Sequence, residues 1–149
     1  MIRPLDLILP YPVSANRYWR SLPPAGRRAA VVVLSREAKL FKEEVVRRAA
    51  AAGITAPVRG RVCLTIDLYP AMPKDGPVRM RRDPVGWDDT VRAIDVDNGI
   101  KVVLDSIKGI VIDDDRWVRR IVAQRHAPTG DARTIVRIEP FDDTMRAAT

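Results

Sequence analysis

Cysteine and histidine are almost missing from this chain: Cys63 and His126 are the single examples of each among 149 residues. One cysteine excludes an internal disulfide and any zinc site built from several thiolates. One histidine argues against a His-based triad or a His-rich metal centre. Cys63 falls in an alternating apolar run and is expected to be a buried small hydrophobe rather than a nucleophile. His126, next to a turn, is expected at the surface. Aromatic residues are scarce at 5%. Trp19, Trp87 and Trp117 are read as core or half-buried cover, with stacking on nucleic-acid bases as the alternative. No apolar run is long enough to cross a bilayer. Met1-Ile2-Arg3-Pro4 has no basic stretch leading into such a run, so a cytoplasmic setting with no membrane partner is expected.

What the chain does have is charge, unevenly placed. With 46% hydrophobic and 30% charged residues, it is expected to form one soluble globular domain with a core of its own. The net charge is +7. Arginine dominates over lysine, which favours bidentate contact with phosphate. The arginines cluster: Arg17, Arg20, Arg27 and Arg28 near the N-terminus, Arg79, Arg81 and Arg82 in mid-chain, and Arg116, Arg119, Arg120 and Arg125 later. Against them stands the stretch from Asp88 to Asp115, with eight acidic residues and three basic ones, a local charge of −5 that leaves +12 for the remainder. A basic body suits a polyanion, whereas a carboxylate patch repels one unless cations lie between. Carboxylates holding Mg²⁺ or Mn²⁺ against a phosphodiester resolve that conflict, which points to a metal-dependent nuclease.

Periodicity gives the elements. Leu5 to Leu9 reads as a strand ended by Pro10 and Pro12, and Ser14 to Val33 as a loop. Ser35 caps a helix with Ala38 at its third position; Ala38, Phe41, Val45, Ala49 and Ala52 share one face, and Gly53 stops it. Val62 to Tyr69 alternates as a half-buried strand. Prolines from Pro73 to Pro84 make the segment from about 73 to 90 a long loop. A second helix fits Asp97 to about Lys108, with Ile100, Val103, Leu104 and Ile107 as its apolar stripe. Trp117 to Gln124 and Thr134 to Ile138 read as strands joined through Pro128-Thr129-Gly130-Asp131 as a hairpin. The expected class is α+β, a small mixed sheet with two helices packed on one face, in a single domain.

The acidic residues form a constellation. Asp95 and Asp97, two apart, share a side if the chain there is extended. Asp114 joins them if the second helix packs back on the sheet. Lys101 lies one turn beyond Asp97, placed to meet the charge on a reacting phosphate. The plainer readings are that Asp95 or Asp97 caps the helix, that Asp113-Asp114-Asp115 is a solvated turn, and that Lys101 is half of an exposed ion pair with Asp97 or Asp105.

The block Asp95-Val96-Asp97-Asn98 with Lys101, the apolar helix and the Asp triplet before a strand resemble the RusA family of Holliday junction resolvases. So does Leu9-Pro10-Tyr11-Pro12-Val13-Ser14-Ala15-Asn16-Arg17-Tyr18, a first strand running into P-x-P-x-S-x-N-x-x-Y. The resemblance implies a homodimeric, Mg²⁺-dependent endonuclease that nicks four-way DNA junctions on two strands, in recombination and repair. It implies that Asp95, Asp97 and Asp114 hold the metal, with Asp113 one register step away, and that Lys101 stabilises the transferring phosphate. Asn16, Arg17, Arg79, Arg81, Arg82 and Arg92 are the expected DNA contacts. Two departures stand out: only Arg92 precedes the first aspartate where the family has an arginine run, and the segment from Pro73 to Thr90 is long. A nuclease for other branched nucleic acids and a non-catalytic DNA-binding module are the rival readings.

Overall fold

Pro10 and Pro12 stop the first strand where expected: β1 spans Leu5–Leu9, since proline offers no amide hydrogen to a ladder. The computed structural model describes residues 3–24, 26, 29–142 and 144. The stretch after β1 departs from the expected loop. A short helix α1 (Ala15–Tyr18) runs into β2 (Trp19–Leu22), which pairs antiparallel with β3 (Val31–Leu34). Proline and glycine fill only the connection between the two strands, whereas the β-branched run Val31-Val32-Val33 suits a paired, extended backbone. Arg27 and Arg28 lie outside the described residues.

α2 (Arg36–Ala51) begins as read: Ser35 Oγ accepts the Ala38 amide at 3.1 Å, satisfying one of the open donors of the first turn. Ala38, Phe41, Val45 and Ala49 are buried. Gly53 leaves the helix at φ +82°, a conformation that glycine adopts without strain. β4 (Val62–Tyr69) sends Val62, Leu64, Ile66 and Leu68 into the core and turns Thr65, Asp67 and Tyr69 to a half-buried opposite face.

The segment expected as a long loop instead contains α3 (Gly76–Arg82) and a 3₁₀ turn at Trp87–Thr90. Pro77 lies in the first turn of α3, where the amide has no partner within the helix, so it starts the element rather than breaking it. α4 (Val96–Ile107) follows, one residue earlier at each end than the sequence suggests. A 3₁₀ turn at Asp115–Trp117 leads to β5 (Val118–Arg125), and β6 (Arg133–Pro140) completes the sheet.

The sheet order is β1-β6-β4-β5. β5 runs parallel to β4, while β6 is antiparallel to both β4 and β1. The expected β5–β6 hairpin is therefore absent, because β4 lies between the two strands. The most fully apolar strand takes the centre, α4 supplies the crossover a parallel pair requires, and arginine-bearing β5 takes an edge. α2 packs on β1 and α4 on β4 and β5, with the two helices also touching each other. This is the α+β class, with a second, two-stranded sheet beside the main one. Among the described residues, no helix is long and apolar enough to cross a membrane.

Candidate active site

α4 presents the first acidic pair. Asp95 occupies the N-cap position with extended backbone (φ −63°, ψ 143°), yet its side chain makes no capping hydrogen bond. An N-cap aspartate ordinarily spends its carboxylate on the amides of the first turn; here that carboxylate is exposed and has no hydrogen-bond or ion-pair partner among the described residues. Asp97 is exposed in the first turn, where the helix dipole favours negative charge. Lys101 follows on the exposed side one turn later. Gly99 faces the other way: a Cβ at this position would stand 2.8 Å from Leu68 Cδ1. The missing side chain lets the start of α4 press against the end of β4, which sets the depth at which Asp95 and Asp97 emerge.

The chain leading to Asp95 is pinned from three directions. Tyr11 Oη, from the segment after β1, accepts the Ile94 amide at 2.8 Å. Arg125, at the end of β5, donates to the carbonyls of Asp88 (2.7 Å) and Val91 (3.2 Å). Arg79 donates to Thr90 O at 3.0 Å and pairs with Asp75 at 2.9 Å. Burial holds the Tyr11 hydroxyl above its ordinary pKa, with the Ile94 bond and the charge of Arg125 opposing. None of these three roles was legible in the sequence. Tyr11 was visible within the N-terminal block, but its partner lies 83 positions away.

A cleft of about 420 Å³ opens between the two blocks, lined by Tyr11 to Ser14 and Arg17 on one side and Arg92, Ala93 and Ile94 on the other. Arg92 is exposed, and Arg17 pairs with Glu37 at 2.6 Å in the same cleft. Asn16 is exposed on α1 beside Arg17. Below, Tyr18 is fully buried and donates its hydroxyl to Asp105 of α4. Burial, and then the bond and charge of Asp105, raise the Tyr18 pKa far above its ordinary value. Lys42 of α2 approaches the same carboxylate at 3.7 Å, so α1, α2 and α4 meet at Asp105.

The Asp triplet divides its tasks. The Asp113 amide donates to Val58 O at 3.0 Å, while its side chain is exposed. Asp114 Oδ1 accepts the Arg116 amide at 2.9 Å and caps the 3₁₀ turn. That bond, helped by the nearby charges of Lys108 and Arg116, holds its carboxyl below the ordinary range. Asp115 pairs with Lys108 at 3.5 Å. Among the described residues, no three acidic, histidine or cysteine side chains converge closely enough to hold a metal ion as a group. Asp95, Asp97 and Asp114 thus do not form a ready-made three-ligand cage. Two exposed carboxylates still suit Mg²⁺, which keeps several waters and is commonly held by one or two carboxylates plus substrate phosphates.

The remaining expectations sort simply. Arg81 and Arg82 are exposed on α3, whereas Arg79 is engaged in holding Thr90. Trp87 is buried, and Trp19 and Trp117 are half-buried. Cys63 is buried, and burial pushes its thiol up, away from nucleophilic use. His126 is not a free surface residue: its side chain is 25% exposed, its Nε2 lies 2.6 Å from Asp67 Oδ1, and its ring stacks on Tyr69. β-Sheet register brings these partners together, and no local pattern announces it.

A family model described as Endodeoxyribonuclease RusA matches residues 10–139. The matched range contains both blocks that line the cleft, together with Lys101 and the Asp triplet. No curated protein matches the chain.

Proposed function

This chain belongs to the RusA endodeoxyribonuclease family, and from that premise we propose that it is a divalent-cation-dependent endonuclease that resolves four-way DNA junctions by paired nicking, as a homodimer. The observation that carries the proposal is the uncommitted carboxylate of Asp95 at the head of α4, beside a cleft formed by both motif blocks.

Asp95 and Asp97 would hold Mg²⁺ or Mn²⁺, with Asp114 as the proposed third carboxylate. A bound divalent cation supplies Lewis-acid polarisation of the scissile phosphate and acidifies a water. The chain's own residues do the rest. Lys101 meets negative charge building on the phosphate. Arg92 and Arg17 position the backbone of the strand at the cleft. Tyr11, Arg125 and Arg79 keep the segment before Asp95 from shifting, which preserves alignment of the reacting groups.

Paired cuts on opposing strands require two sites, and one chain carries one acidic cluster, so an isologous dimer places two clusters about a shared axis. The test is incubation of the protein with a labelled four-way junction, a fork and a linear duplex, with and without Mg²⁺, alongside light scattering. Symmetric nicks in the junction alone, dependent on Mg²⁺ and made by a species of twice 16.7 kDa, are expected. Cleavage of forks in preference would move the substrate to other branched DNA. Binding without cleavage in Mg²⁺ would make the protein a DNA-binding module.

A further inference from the structure

Two hollows that share no lining residue with the cleft described above adjoin as one groove that begins at Lys101. The first, about 270 Å³, is lined by Trp19, Lys101, Asp105, Lys108 and Asp115. The second, about 510 Å³, is lined by Arg116, Arg119, Arg120 and apolar residues of β5. Both share Leu104 and Asp115 as walls, so they adjoin. One end of the groove lies at Lys101, and the other reaches the edge of the sheet.

Charge along the groove is net positive, with Lys101, Lys108, Arg116, Arg119 and Arg120 set against Asp105 and Asp115. Its two carboxylates are occupied inside the protein, Asp105 by Tyr18 and Lys42 and Asp115 by Lys108. No carboxylate forms an ion pair with Lys101, Arg116, Arg119 or Arg120 among the described residues. The backbone itself arranges this display. In the β4–β5 ladder Val62 stands opposite Val118 and Cys63 opposite Arg120, which leaves Arg119 as an extra residue. A bulge of this kind stops consecutive side chains from alternating cleanly across the sheet, and Arg119 and Arg120 both line the same groove. Repulsion between these arginines also opposes pairing of β5 with another copy of itself, so the edge is suited to an anionic partner.

Resting on the nuclease reading above, we infer that this groove is a second contact for DNA, a track for one sugar–phosphate backbone running from Lys101 to Arg119 and Arg120. Lys101 to Lys108 covers roughly 10 Å along the helix axis, longer than the separation of two neighbouring phosphates on one strand. The track would hold the arm of the substrate that leaves the cleft past α4, adding length-dependent affinity beyond the contact at Lys101.

The test compares R116A/R119A/R120A with R47A/R48A, a change on the outer face of α2 where both arginines pair with Glu44. Binding to a junction is measured across a salt series, with turnover at saturating DNA. For the groove variant the slope of log Kd against log salt should fall by about two to three, turnover should hold, and the α2 variant should keep the parental slope. A thermal melt matching the parent shows that the triple variant is folded, and R119A alone should lower the slope by about one. Equal slope changes in both variants, or none in the groove variant, would overturn the track. Loss of binding to polyglutamate without loss of DNA binding would assign the groove to an acidic protein and overturn it as well. A parent that neither binds nor cuts DNA would bring down the nuclease reading itself, which a salt slope unaffected by the groove arginines would not.

Discussion

The hydroxyl of Tyr11 and the amide of Ile94 meet at 2.8 Å, and that single bond ties the segment after the first strand to the residue that precedes Asp95. Tyr11→Phe removes the acceptor and leaves a part-buried amide unpaired, a loss of about 1–3 kcal/mol. Denaturant midpoints should fall accordingly. Single-turnover cleavage should slow more than junction affinity weakens, because the segment that loosens carries the first carboxylate and not the bulk of the basic surface. An equal loss in both would make Tyr11 a residue of general stability only.

Asp95→Asn and Asp97→Asn should each abolish cleavage while junction binding survives or strengthens. Each change removes an oxygen ligand and also removes repulsion toward phosphate. Cleavage assays beside gel-shift titrations decide this, and activity above a few per cent in both variants would refute the metal assignment. Asp114→Asn is expected to act likewise. Greater damage from Asp113→Asn would move the third carboxylate by one position.

Lys101→Ala is expected to reduce turnover more than affinity. A contact that strengthens as charge develops contributes about 2–4 kcal/mol to the chemical step when judged by lost oxyanion donors. Rate constants at saturating DNA, set against equilibrium Kd values, separate the effects. Equal losses would leave Lys101 as a contact for phosphate alone.

Gly99→Ala places a methyl group 2.8 Å from Leu68 Cδ1. Leu68 is fully buried, so its side chain has little room to yield, and overpacking of this kind costs about 1–3 kcal/mol. The gain in helix propensity, about 1 kcal/mol, offsets part of that. A net loss in stability is expected, with a further loss of activity as the head of α4 is pushed outward. Leu68→Ala in the same chain should restore part of the activity, and a double-mutant cycle measures the coupling.

Tyr18 gives an alkaline prediction. Its folded pKa is raised by burial and by Asp105 above the ordinary tyrosine value of 10.0. The unfolded chain therefore releases this proton first as pH rises. The stabilisation is fully present below pH 10 and declines above it. Phenolate absorbance from Tyr18 should appear only as the fold opens, and a Tyr18→Phe chain should lack that component. Ionisation of Tyr18 in the native protein near pH 10 would contradict the buried bond.

Where a residue's role depends on its neighbours in sequence, it was legible. The alternation of Val62 to Tyr69, the Ser35 cap and the apolar stripe of α4 each follow from one local period, and each appears in the structure. Pairing partners were not legible. β5 and β6 are both amphipathic and joined by turn residues, so nothing local reveals that β4 separates them. Pro77 reads as a breaker in the sequence because its position within a helical turn cannot be known before the helix is. For the candidate site, type and spacing nominate the carboxylates and the lysine. Their supports, Tyr11 Oη, Arg125 and the bare face of Gly99, act across long separations and carry no periodic mark.

The pairing of β1 with β6 has a bearing on how the protein comes into being. Among the described strands β1 is made before the others, yet its one neighbour in the main sheet is β6, which is made after them. Arg125, which fixes the carbonyls of Asp88 and Val91, likewise arrives only after α4 has been synthesised. Contacts so distant along the chain form slowly, because a large loop must close before they add any stability. A nascent chain that exposes Asp95 and Asp97 before β5 is made therefore does so without Arg125, one of the three side chains that pin the segment before Asp95. Full alignment of the candidate site would therefore come late in synthesis, once these distant contacts have closed.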